Sequence, residues 1–187
     1  MPALTLSDFK DLLETPTPAE LGPGPRAGVR SEATVRHVLG SLFRDAKLSG
    51  TRQQLVTALL LLWHDHMDAS HGISQDIASA EGSFVHGILH RREPDYGNAH
   101  YWFRRVGHHP VYPELGKNAS GLPELARDSA LRTRLVTNGR WDPAAMIAAC
   151  EEAAGSQDTG RIATLRELQR VETETLLNWI LTGPGID

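Results

Sequence analysis

Apolar residues recur along this chain at intervals of three and four, and no strand-length run alternates apolar with polar, so the pattern predicts helices throughout. Ser31 opens a predicted helix to about Ala46, with Val35, Val38, Leu39, Leu42 and Phe43 on one face. Thr51-Arg52-Gln53-Gln54 has the form of a capping box, in which the first hydroxyl and the last amide satisfy each other's end N–H groups. It predicts a long helix running to about His71 and stopping at Gly72. Leu59 to Leu62 make that helix apolar on every side, which places it at the centre of the fold. Shorter helices are predicted from Ser7 to near Glu14, from Ser83 to Arg92 and from Asn98 to Val106. The second of these is halted at Glu93-Pro94, because a residue before proline avoids the helical region. Pro123 opens another to Val136, with Asn138-Gly139 as its stop, and Asp142-Pro143 caps one reaching Ala154. The last follows Thr159 and ends at Gly183-Pro184, while Pro16, Pro18, Pro23 and Pro25 keep the stretch 15–30 irregular. The expectation is an all-α single domain over 1–187, a bundle of six to eight helices around a central apolar one.

Composition narrows the class of partner. With 187 residues, 40% hydrophobic and 22% charged, the chain has the make-up of an ordinary globular protein. A formal charge of -4 speaks against a general polyanion binder, so no nucleic-acid partner is expected. The longest apolar run, Leu55 to Trp63, is interrupted by Thr57 and falls short of the roughly 20 residues that span a bilayer. No basic segment followed by an apolar run opens the chain, and the single cysteine, Cys150, sits among alanines as a small buried filler would. These features predict a cytoplasmic protein with no membrane partner, a homo-oligomer being left open.

Histidine changes the picture most. Eight of the nine histidines lie between His64 and His109. Neutral imidazole binds transition metals, so such a clump marks where chemistry belongs. On the expected long helix, His64, Asp68 and His71 share one face, joined by Gln75 if the helix continues past Gly72. The plain alternative is that this stripe is only the helix's wet end. His86 and His90 form an i,i+4 pair on an otherwise apolar helix, a spacing that presents two nitrogens to one cation. Gly87 stands where a metalloprotease helix would carry its glutamate, so that pattern is absent. The alternative for the pair is two core-edge histidines bonded to carbonyls. Facing helices of a bundle can pool such ligands around a divalent transition metal such as Zn, Fe or Mn, with Asp65 and Glu81 as carboxylates to move the proton.

Arginines crowd the same stretch. Arg91, Arg92, Arg104 and Arg105, with Tyr96, are candidates to hold a phosphate or carboxylate, since a guanidinium grips either through two parallel bonds. The competing reading pairs them with Glu93, Asp95 and Glu114 to brace loops. Tyr101, Trp102 and Phe103 are consecutive, so at least one belongs to the core while another lines a cleft. His108-His109-Pro110 falls in a loop, where it could add a ligand or a general base, though capping a turn is the favoured reading.

Two resemblances attach to these residues. His37 followed by the apolar run Leu59 to Trp63 and the doublet His64-Asp65 resembles the opening of the HD phosphohydrolase superfamily. The likeness implies an all-helical metal enzyme, with His37, His64 and Asp65 as ligands and a downstream carboxylate such as Asp128 or Asp142. His90 to Gly107, reading HRREPDYGNAHYWFRRVG, is similar to a signature in a family of uncharacterised bacterial and fungal proteins, and it implies no activity. Together the residues lead to the expectation of a metal-dependent hydrolase acting on a small anion. A helical protein that binds an organic anion or a partner, with the histidines and arginines as a structural network, is the alternative.

Overall fold

A computed structural model describes residues 3–186. A 3-10 turn, Leu6–Phe9, leads into α1 (Lys10–Leu13), and no helix forms again before α2 (Glu32–Arg44). Then come α3 (Gly50–Trp63), α4 (Met67–Ser74), α5 (Ala80–Arg92), α6 (Tyr96–Val106) and α7 (Tyr112–Ser120). After them follow α8 (Pro123–Arg127), α9 (Ser129–Leu135), α10 (Pro143–Ala154) and α11 (Thr159–Thr182). The all-α class stands, with eleven helices among the described residues rather than six to eight. A two-stranded hairpin, β1 (Val136–Thr137) and β2 (Arg140–Trp141), is the small exception. Asn138 and Gly139, at φ +52° and +73°, form its turn, so this pair reverses the chain instead of merely ending a helix.

Most departures from the predicted boundaries trace to caps. Ser49, not Thr51, receives the N–H of Arg52 and starts α3. Ser79 caps α5 through Gly82, and Asp95 caps α6 through Asn98, so the helices begin at Ala80 and Tyr96, ahead of the predicted Ser83 and Asn98. Asp128 caps α9 and divides the single helix expected over 123–136.

The larger correction concerns the long central helix. It breaks after Trp63, where Asp65 takes φ +66°, and α4 is a separate element. The Asp65 carboxylate accepts from the Arg26 main-chain N–H at 2.9 Å, from Arg26 Nη1 at 2.5 Å and from Arg92 Nη2 at 2.6 Å. That buried ion-pair cluster holds a left-handed backbone that Asp tolerates better than most residues. Gly24 completes the fit, because a Cβ there would lie 2.8 Å from the same carboxylate.

The centre is shared by two helices. Leu55 and Leu59 to Trp63 bury α3, and every residue of α5 from Glu81 to Arg92 is buried. The buried apolar side chains form one contiguous cluster that includes Phe84, Val85, Ile88 and Leu89 of α5. α6 can lie close along α5 because Gly87 has no side chain: a Cβ there would meet the Phe103 ring at 2.7 Å. No helix among the described residues is long and apolar enough to cross a membrane.

Candidate metal centre

Three imidazoles converge where α4 meets α5. His71 comes from the middle of α4, and His86 and His90 stack one turn apart on α5. Each offers a ring nitrogen within 4.8 Å of the others. Ring centroids are 4.6 Å apart for His71 and His86, 4.7 Å for His86 and His90, and 5.6 Å for His71 and His90. Three nitrogens bound to one zinc at ~2.0–2.1 Å lie about 3.4 Å apart, so the rings must draw together for this set to close on one ion.

The surroundings of His86 are the most telling. The residue is 2% exposed, and its Nδ1 has no hydrogen-bond partner among the described residues. Buried polar atoms are nearly always paired, so an unpartnered nitrogen on a ring packed beside two more imidazoles fits a cation's donor set. Burial, then the neighbouring His90 and His71, push its pKa down to about 4. The ring is fixed by packing instead of hydrogen bonds, stacked on Trp102 at 4.0 Å and 15°. His90 differs, with Nδ1 2.9 Å from Glu93 Oε2 and the Asn98 amide nitrogen 3.1 Å from Nε2. His71 is half-buried and forms the open side.

The other expected ligands lie elsewhere. With the helix broken at 64–66, His64 does not share a face with His71. It is fully buried, its Nδ1 accepting the Arg30 N–H at 3.1 Å and its Nε2 2.8 Å from the Leu12 carbonyl. Asp68 is exposed on α4, outside the triad. The positions singled out by the phosphohydrolase likeness are engaged apart: His37 is exposed on α2, and Asp65 is neutralised by two arginines.

Neither expected proton-handling carboxylate reaches the triad. Besides Asp65, Glu81 accepts from Trp179 Nε1 and from His109 Nε2, each at 3.2 Å, while His109 Nδ1 receives the Val111 N–H. Burial works to raise the pKa of Glu81, but hydrogen bonds led by His109 overcome it and hold the group down to about 2. His109 thus caps its own turn and pins it to α5 and α11.

The arginines divide. Arg91 is 0% exposed and bonded to Glu172 and Gln169 of α11. Arg92, 1% exposed, binds Asp65 and the carbonyls of Glu20, Gly22 and Leu62. Both hold the core together and reach no open surface. Tyr96 packs half-buried against the core, its hydroxyl pKa raised by burial and by Cys150 and Glu151. Arg104 and Arg105 stay exposed on α6, and the Arg105 guanidinium lies 5.3 Å over Trp102 and 5.9 Å over Tyr101. The three aromatics take three settings: Phe103 in the core, Trp102 on the histidines, and Tyr101 45% exposed.

Sequence reasoning placed Glu93 among counter-ions for the arginines, although its position three residues after His90 already puts the two on one helix face. Nothing in the sequence signals the stacking of Trp102 on His86. No family model, curated protein or solved structure matches the chain, so the geometry of the three imidazoles carries the functional reading by itself.

Proposed function

We propose that this protein is a metal-dependent hydrolase in which His71, His86 and His90 hold a divalent transition metal and a small phosphate- or carboxylate-bearing substrate is cleaved beside it. The observation that carries the reading is the convergence of three imidazoles from two helices, one with a buried, unpartnered nitrogen. Three neutral nitrogen donors suit Zn, with Fe next, better than oxygen-preferring Mn. A bound ion of this kind supplies a Lewis acid and a water that ionises near neutral pH.

The chain's own residues do the rest. His86 and His90 are preset by α5 and by packing on Trp102, and His71 closes the set from α4. Arg105, held against Trp102, faces no carboxylate partner among the described ion pairs and meets the substrate's anionic group. Asp68, exposed one turn before His71, takes the proton in place of the engaged Asp65 and Glu81.

A second reading, in which the site binds an organic anion without turning it over, is favoured by where the larger hollows lie. The larger hollows, of about 630 and 830 Å³, are lined by other residues. Zinc-reconstituted, tag-free protein assayed with p-nitrophenyl phosphate and p-nitrophenyl acetate tests the proposal. Turnover of either, abolished in His86→Gln, is the expected result, with Arg105→Ala raising KM for the anionic phosphate ester. Metal bound with no turnover of either ester leaves the binding reading, and failure to bind metal removes the proposed centre.

A further inference from the structure

Among the described residues, His90 is the one member of the triad held by a carboxylate. We propose that Glu93 is a positioning residue for this centre: it accepts the Nδ1–H of His90 and so aims the Nε2 lone pair at the ion shared with His71 and His86. The inference rests on the metal-binding reading above.

Three observations support it. Glu93 Oε2 lies 2.9 Å from His90 Nδ1, and a neutral imidazole bonded there to a carboxylate carries its proton on Nδ1, leaving Nε2 as the donor to a metal. The Asn98 amide nitrogen does not settle the matter otherwise, because it lies 3.4 Å from Nδ1 and 3.1 Å from Nε2. Similar distances to both nitrogens set it beside the ring, not in line with one lone pair.

The second observation is what Glu93 leaves undone. It follows directly after two arginines, yet Arg91 turns to Glu172 and Arg92 to Asp65, so the carboxylate is given to the histidine instead. The third is charge. Three imidazoles leave a dication uncompensated, and a carboxylate one hydrogen bond away offsets part of that charge while making the ring a stronger donor. Such outer partners commonly govern metal affinity by ~10–100-fold.

Cobalt(II) titration of the full, tag-free chain, followed by visible absorption and checked by zinc competition, tests the role. Glu93→Ala should weaken cobalt binding by ~10–100-fold and shift its ligand-field bands. Glu93→Gln, which keeps an acceptor for the Nδ1–H but not the charge, should fall between Glu93→Ala and the parent, and His86→Gln should show no bands. Glu93 ends α5 with its side chain about one-third exposed, and circular dichroism should show both Glu93 variants folded. If Glu93→Ala binds cobalt as the parent does while His86→Gln does not, the role of Glu93 is overturned and the centre stands. If His86→Gln binds like the parent, or the parent binds none, the centre itself is overturned.

Discussion

Replacing Asp65 by alanine removes the carboxylate shared by Arg26 and Arg92 and leaves two guanidiniums buried without their counter-charge. Breaking a buried pair in this way costs about 3–5 kcal/mol, so chemical denaturation should show a loss of that size; a loss under 1 kcal/mol would contradict the ion-pair account. Gly87→Ala tests the α5–α6 contact, since its methyl would sit 2.7 Å from the Phe103 ring. Overpacking of this kind costs about 1–3 kcal/mol, and an unchanged melting temperature would show that the helices can part. Acid should destabilise the fold for a stated reason. Burial, only partly opposed by the Leu12 carbonyl, depresses the pKa of His64 from 6.5 to about 4, with Arg26, His66 and Arg30 adding to the effect. The unfolded chain therefore takes up this proton first, and stability present above pH 6.5 drains away as pH falls toward 4. Glu81 acts with the same sign lower down, its contribution present above pH 4.5 and lost toward 2. Urea midpoints measured from pH 7 to pH 3 should decline steadily, whereas a flat profile between pH 7 and pH 5 would show His64 to be ordinary.

At the scale of elements, α4 is the helix to watch under the metal-binding proposal. It is eight residues long, and its ties include the Ser70 hydroxyl bonded to the Ala58 carbonyl and, with metal present, His71. Zinc should slow amide exchange across Met67–Ser74 more than in α2, which carries no ligand; equal exchange with and without zinc would detach α4 from the site. The sequence showed the helices because amphipathic spacing and capping residues are local signals, as at Ser31 and Asp142-Pro143. It concealed the break at His64-Asp65-His66 because no glycine or proline marks it. The left-handed turn there is held by Arg26 and Arg92, which lie 39 and 27 residues away. α7 does not show in the sequence for a related reason: Pro113 and Gly116 obscure the pattern of a nine-residue helix, yet the proline sits in its first turn and Gly116 is needed because a Cβ would meet the hairpin at Gly139 O, 2.8 Å away.

Across the whole molecule, the sequence singled out one segment in which two arrangements are interleaved. Histidines and arginines are interleaved from His86 to Arg92, yet α5 turns His86 and His90 toward α4 and α6 while Arg91 meets α11 and Arg92 meets the break after α3. Helical spacing separates those faces, but only the packing of four other helices decides which one holds ion pairs and which gathers imidazoles. Asp65 and Glu81 were drawn to the first role by Arg92 and His109, a choice no local pattern records. The central claim is that His71, His86 and His90 act together on one ion. Metal content of tag-free protein after zinc reconstitution, with X-ray absorption to identify the ligands, tests it most directly. The account predicts about one zinc per chain bound by nitrogen donors, retained on dialysis and lost in His86→Gln. Less than about a tenth of an equivalent, or zinc held equally by the parent and by His86→Gln, would contradict it.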